Sequence, residues 1–365
     1  MSFHLFRTSR PTSNKLSSRE YFRRSKIKFL RRSLIASITC LGAIALNTTA
    51  TAQDNSSPKI VSTFLPIHLF TQAVVGDTGE VEILISPGAE VHGYQATPDD
   101  AKLLSEADIL VENGLGMEEF LSALVSNAGN SNLQQITASE GIEAIGAEHD
   151  EHDKEEHDEH GHDEHGHDEH GHDEHGHDEH GHDEHGHDEH GHGHHHAEGD
   201  PHVWLDPVLA QQQVANIRDG LIEIDPNNAD SYSTNADAYI QQLQQLDSEF
   251  QQRLAPVKGC NFITFHDAFA YLAQRYGLQQ EAIVHIPEDS ISPRDIQRVQ
   301  QAAKEYGVKA LLTEPGIKDK RIQQISSDLN LSLEEIDPLE SGATDPQHYF
   351  RAMQGNLEAL TRACQ

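Results

Sequence analysis

Residues 228–254 read NADSYSTNADAYIQQLQQLDSEFQQRL. Tyr239, Leu243, Leu246, Phe250 and Leu254 recur at intervals of 4, 3, 4 and 4 residues, which puts them on one stripe of an α-helix. The other faces carry Gln, Asp and Ser, so this helix is expected to lie along a surface with one side buried. On either side of it, short β-branched runs alternate with helical stretches. A linking helix over residues 228–256 is stiffer than a loop, which argues against wide hinge opening between the parts it joins.

Before the helix, Lys59–Phe64 is a β-branched run followed by a helical stretch opened by Pro66. Glu80–Ser86 alternates Val81, Ile83 and Ile85 as a half-buried strand, Thr97 caps a helix with Pro98 in its first turn, and Asp108–Glu112 is a short strand. After it come strand Asn261–Phe265, a helix to Tyr276, strand Ala282–Ile286 and a helix capped by Ser292 and opened by Pro293. Strand Ala310–Thr313, a helix over Lys318–Leu329, strand Ser332–Ile336 and a last helix from Asp345 complete the chain. The alternation predicts an α/β protein of two parallel-sheet lobes, residues 53–227 and 257–365, joined by the long backbone helix.

The 365 residues include 27 His, and 26 Lys+Arg stand against 60 Asp+Glu for a net charge of −34. Such a chain repels phosphate backbones, which excludes nucleic acid as a partner. No apolar run reaches the length of a spanning helix. Residues 1–32 hold ten basic side chains and one acidic, Glu20. Apolar Leu34–Leu46 and then Ala50-Thr51-Ala52 follow, the order of a cleaved export signal over residues 1–52. Cys40 has a poor lipid-attachment context, so a soluble periplasmic protein is expected. In an oxidising compartment Cys260 and Cys364 are expected to form a disulfide, the alternative being two buried thiols.

Residues 161–190 are six copies of Gly-His-Asp-Glu-His inside a segment, 148–199, that has no apolar residue from Glu148 to His196. Nothing in it can bury, so it is expected to be a disordered loop inserted in the first lobe. His162, His165, His167, His170, His172 and His175 have spacings that chelate without a prefolded frame, so weak accessory metal sites are expected there. The bland alternative is an idle solvating insertion.

Four residues outside the repeat sit where parallel strands end. His92 lies beyond the strand that closes at Pro87-Gly88, and His202 lies in Asp200-Pro-His-Val-Trp-Leu-Asp-Pro207. His266 follows Phe262-Ile-Thr-Phe265, and Asp337 ends Leu333–Ile336. Open α/β sheets bind ligands at their carboxyl edges. A cleft between the lobes would therefore collect three imidazoles and one carboxylate, a tetrahedral zinc donor set. Each His alone is as readily a surface residue, and His68, His285 and His348 are read as structural.

Together these segments make the chain resemble the zinc-binding branch of the exported zinc/manganese solute-binding proteins of ABC importers. The resemblance runs from Lys59 onward, on Val61-Ser-Thr-Phe-Leu-Pro66, the His92 segment, Asn113-Gly-Leu115 with Glu118, Asp200-Pro-His-Val-Trp204, Phe265-His-Asp267, Thr313-Glu-Pro315 and Asp337-Pro-Leu339. It implies two α/β lobes on a backbone helix and ligands at His92, His202 and His266, with Asp337 at the acidic position. Glu90 and a water are the alternatives for that fourth donor. Manganese members place a carboxylate where His266 stands, and a third imidazole favours zinc. Asp267 is the candidate to hold the His266 ring from behind.

The expected function is therefore a monomeric, non-enzymatic receptor that captures Zn(II) at one tight site and hands it to a membrane permease. A zinc hydrolase lacks its sequence basis, because no His is followed by Glu and no Gly-x-Ser-x-Gly elbow occurs. The other alternative is a periplasmic zinc buffer or chaperone working through the repeat.

Overall fold

The computed structural model describes residues 57–146, 199–284 and 291–365. The expected export signal, the Gly-His-Asp-Glu-His repeat and His285 lie outside these residues.

Two parallel sheets of four strands form, as the alternation predicts. The first comprises β1 (Ile60–Ser62), β2 (Val81–Ile83), β3 (Ile109–Glu112) and β4 (Gln134–Thr137), ordered β2-β1-β3-β4. The second comprises β5 (Asn261–His266), β6 (Gln279–Val284), β7 (Ala310–Thr313) and β8 (Ser332–Glu335), ordered β6-β5-β7-β8. The same order in both sheets puts a switch in strand direction of travel beside β1 in one and beside β5 in the other. Crevices open there at the carboxyl edges. The inner strands β1, β3 and β7 are buried along nearly their whole length, hence their unbroken apolar runs.

The helices are α1 (Leu65–Val75), α2 (Pro98–Glu106), α3 (Leu121–Ala128), α4 (Pro207–Ile224), α5 (Ala229–Leu254), α6 (Ala270–Tyr276), α7 (Pro293–Tyr306), α8 (Lys320–Leu329) and α9 (Gln347–Ala363). Thr97 and Ser292 each close a capping box with the Asp three residues on, which fixes the starts of α2 and α7. Along α5 the expected stripe is buried and extends back through Ala236 to Tyr232. Ile60 and Ile109 from the first sheet, Leu243 and Phe250 from α5, Phe262 and Leu312 from the second sheet and Met353 from α9 all belong to one apolar cluster. The lobes therefore share a core built along α5 instead of meeting across a flexible hinge. Phe70 of α1 packs edge-on against Tyr239 and Tyr349, at 6.1 and 5.1 Å between ring centres.

Three elements lie where the sequence reading has none. β4 is a sheet edge whose Gln134 and Gln135 face solvent, so it lacks an apolar alternation, and it brings α3 with it. In α4 the polar run Gln211–Gln213 interrupts the pattern, although Ala210, Val214, Ile217 and Leu221 are buried. Gly220 is what lets α4 lie close to the sheet, since a Cβ there would come within 2.9 Å of Ile136. β6 starts at Gln279, earlier than expected, because Gly277 at φ 69° ends α6 and the Gln279 N–H then bonds the Cys260 carbonyl at 2.9 Å.

Cys260 and Cys364 are joined in a disulfide across 104 residues, tying the end of α9 to the start of β5. Among the described residues, no helix is long and apolar enough to cross a membrane.

Candidate metal centre

His92 sits in the loop between β2 and α2, and the residues around it are anchored. Val91 is buried, and the Tyr94 ring packs on Phe120 at 5.1 Å between centres. The Tyr94 hydroxyl donates to Asp100 of the α2 capping box at 3.1 Å. Burial and the Asp100 carboxylate together push the Tyr94 phenol up from its usual range.

His202 precedes a short turn, Val203–Leu205, that leads into α4. The Asp200 carboxylate accepts from the His202 backbone N–H at 2.9 Å and faces its Nδ1 at 2.7 Å. An acceptor on Nδ1 requires the proton there, which turns the Nε2 lone pair toward the site. The preceding peptide is fixed too: Asn113, at the end of β3, donates from Nδ2 to the Pro201 carbonyl at 3.1 Å. Asn113 in turn is held by Gln213 of α4 at 2.9 Å. The Asp200 N–H bonds the Ile145 carbonyl at 2.8 Å, and the Tyr271 hydroxyl bonds the Asp200 carbonyl at 2.6 Å and accepts from the Ile145 N–H at 3.0 Å. Ile145 and Asp200 therefore lie side by side against α6 of the other lobe.

His266 is the last residue of β5 and is buried. Its Nδ1 is hydrogen-bonded to Glu314, which follows the neighbouring strand β7. Its Nε2 is buried without a hydrogen-bond partner. Burial opposes a charge on this ring, but the Glu314 carboxylate, with Glu340 and Asp267 near, pushes it up to about 9. The residue expected behind the ring was Asp267. Its charge is felt there, but the hydrogen bond comes from Glu314, because the carboxyl ends of β5 and β7 lie side by side.

Ligand atoms of His92, His202, His266 and Glu340 all lie within 4.8 Å of one another. Nε2 of His92 is 3.2 Å from Nε2 of His202 and 4.0 Å from Oε1 of Glu340. That oxygen is buried and accepts no hydrogen bond. Burial keeps the Glu340 carboxyl above the usual carboxylate range, against the pull of His266 and His202. With zinc–nitrogen bonds of about 2.0–2.1 Å, tetrahedral donor edges are about 3.3 Å, so small side-chain movements would close this set on one ion.

The structure thus brings the three expected histidines together, but the carboxylate beside them is Glu340. Asp337 stands outside the group, with Oδ1 accepting the Leu339 N–H at 2.7 Å. Glu90 is exposed on the His92 loop and is also outside the group. His68 faces the Ser62 hydroxyl at 3.1 Å and His348 the Ser341 carbonyl at 3.2 Å, both away from the cluster. Glu314 and Glu340 were both legible as candidates. One directly follows a strand end, and the other stands three residues past Asp337, immediately after the Asp337-Pro-Leu339 motif.

The family model described as "ZnuA: Zinc-uptake complex component A periplasmic" matches residues 60–363. The Bacillus subtilis (strain 168) high-affinity zinc uptake system protein ZnuA is 31% identical over 334 residues, covering 90% of this chain and 94% of that protein. The zinc-binding protein AdcA of Streptococcus pyogenes serotype M3 is 30% identical over 309 residues, and the chain spans only 55% of its length. Among solved structures, the Zn(II)-bound ZnuA-like domain of Streptococcus pneumoniae AdcA superimposes with a TM-score of 0.64 at 26% identity, covering 85% of this chain and 99% of that one. The match over almost the whole described chain, with the same two-lobed fold, shows that the protein belongs to the ZnuA family, the periplasmic component A of zinc-uptake complexes.

Proposed function

We propose that this protein captures Zn(II) with His92, His202, His266 and Glu340 and delivers it to the membrane permease of an ABC importer from the periplasmic side. The observation that carries this reading is the buried convergence of three imidazoles and one carboxylate within 4.8 Å, with Nε2 of His266 and Oε1 of Glu340 lacking other hydrogen bonds. Three nitrogens and one oxygen suit zinc better than an all-oxygen cation such as manganese. The ion is cargo, and no step requires bond-making chemistry. Asp200 and Glu314 hold two of the rings in the tautomer that offers Nε2. Protons compete for these nitrogens, so capture weakens as the pH falls.

The Gly-His-Asp-Glu-His copies are proposed as weaker, fast-exchanging accessory sites. They enter the chain between Ile145 and Asp200, whose backbones are hydrogen-bonded beside His202. Because those flanks already meet, a variant lacking residues 148–198 can be closed with a short linker. The test is a chelator-competition zinc titration with bound-metal analysis on this variant and on the full chain. One tight equivalent in both, lost on His92→Ala or His266→Ala, with additional weak equivalents only in the full chain, is the expected result. Absence of a tight equivalent in the shortened protein would overturn the pocket as the transport site.

A further inference from the structure

The turn that carries Glu340 is fixed at every residue. Leu339 is fully buried and sits at φ 68°, a left-handed conformation that a Leu rarely adopts. The Asp337 carboxylate accepts the Leu339 N–H at 2.7 Å, bridging the turn from its first residue. Asn356 of α9 holds Asp337 from both sides, accepting its N–H at 2.7 Å and donating to its carbonyl at 2.8 Å. The Pro338 carbonyl accepts the indole N–H of Trp204 at 2.8 Å, and the Glu340 carbonyl accepts the Gly88 N–H at 2.9 Å. Trp204 is two residues from His202, and Gly88 belongs to the His92 loop. The turn is therefore bonded to both segments that bring imidazoles from the first lobe.

A left-handed residue sets the direction in which the next side chain leaves the backbone. If Leu339 relaxed to an extended conformation, the Glu340 carboxylate would no longer project toward His92. We infer that Asp337 is a positioning residue: it holds Leu339 in the left-handed conformation and so aims Glu340 at the imidazole cluster. Asp337 is then needed for its acceptor oxygen, and its charge is incidental. Trp204 and Gly88 keep the turn in register with His202 and His92. This inference rests on the reading of Glu340 as the fourth zinc ligand.

The test compares the full chain with Glu340→Gln, Asp337→Ala, Asp337→Asn and the double variant Glu340→Gln/Asp337→Ala. Zinc affinity is read by chelator competition, and the ligand field by the visible spectrum of the first Co(II) equivalent. Asp337→Ala should lose about 10–100-fold in zinc affinity, the usual effect of removing a group that orients a ligand. Its Co(II) spectrum should shift toward that of Glu340→Gln. Asp337→Asn keeps an acceptor for the Leu339 N–H and should stay within about two-fold of the parent, and the double variant should bind no more weakly than Glu340→Gln alone by the same margin. A loss in Asp337→Asn equal to that in Asp337→Ala, or additive losses in the double variant, would overturn the positioning role. An unchanged affinity and spectrum in Glu340→Gln would remove the fourth-ligand reading, and the inference with it. A parent protein without a tight zinc equivalent would instead overturn the proposed function.

Discussion

Nε2 of His92 lies 3.2 Å from Nε2 of His202, although 110 residues separate them in the chain. Two ring nitrogens at that distance share one proton or one cation, and the Nδ1 of His202 is already committed to Asp200 at 2.7 Å. Asp200 therefore decides which nitrogen His202 offers. Asp200→Ala is expected to weaken zinc binding by about 10–100-fold while the tight stoichiometry stays at one. Asp200→Asn, which retains an acceptor oxygen, should lose less. Isothermal titration against a competing chelator separates these outcomes, and parental affinity in Asp200→Ala would show that the ring is oriented by packing alone.

Glu314 leaves a proton on His266 that zinc has to displace. Although burial opposes the charge, the Glu314 carboxylate pushes this ring up from an ordinary 6.5 to about 9, which favours the protonated ring in the metal-free protein. Zinc binding at pH 8 should therefore release about one proton from His266, and Glu314→Gln should reduce that release toward zero. Titrations in buffers of different ionisation enthalpy count the protons. The same shift has a consequence for folding. Because the folded value lies above the unfolded one, the pair's stabilisation is fully present below pH 6.5 and is lost as the pH rises through about 9. Equal proton release in parent and Glu314→Gln proteins would count against this coupling.

Glu118 is a second buried carboxylate with a defined pH window. Burial pushes it up to about 7, even though Oε1 accepts from the Thr63 hydroxyl at 2.7 Å and the Asn113 N–H at 2.8 Å, and Oε2 from the Gly114 N–H at 3.1 Å. A folded value above the unfolded one means that the folded protein keeps this proton longer. Its contribution therefore favours folding below about pH 4.5 and is lost as the pH climbs through about 7. Urea denaturation of the metal-free protein across pH 4.5 to 7.5 should show that slope, and Glu118→Gln should flatten it. An identical profile in the variant would assign the slope to other groups.

The Cys260–Cys364 bond closes a loop of more than a hundred residues around the second sheet. Replacing both cysteines by Ser should cost about 2–5 kcal/mol of folding stability, mainly by freeing the unfolded chain. The cluster of His92, His202, His266 and Glu340 lies at the opposite, carboxyl edge of β5 from Cys260, so the proposed tight zinc affinity should be nearly unchanged. Denaturation midpoints with and without reductant, beside a zinc titration, test both halves of this expectation. A large loss of zinc affinity would mean that the bond also sets the geometry of the β5 carboxyl end.

The sequence by itself determined the two parallel lobes and the helix between them, because each is written in local pattern, whereas His92, His202 and His266 stand out as a set by strand-end position together with the family resemblance. The stripe from Tyr239 to Leu254 has a helical period that solvent exclusion must satisfy on one side, and it is buried as written. His266 ends a strand, and strand ends in a parallel sheet converge on the crevice beside a change of direction. β4 and α4 escaped because an edge strand and a Gln-rich helix carry weak apolar patterns. The choice of carboxylates belongs to tertiary structure alone. Asp337 and Glu340 differ by three residues in one turn, and which of them faces the imidazoles depends on the backbone at Leu339. The Asp337 carboxylate bonds the Leu339 N–H within the turn, while Asn356, Trp204 and Gly88, all outside it, anchor Asp337, Pro338 and Glu340 on either side. Likewise the hydrogen bond on the His266 Nδ1 is made with Glu314, because neighbouring β-strands bring their carboxyl ends together across 48 residues of chain.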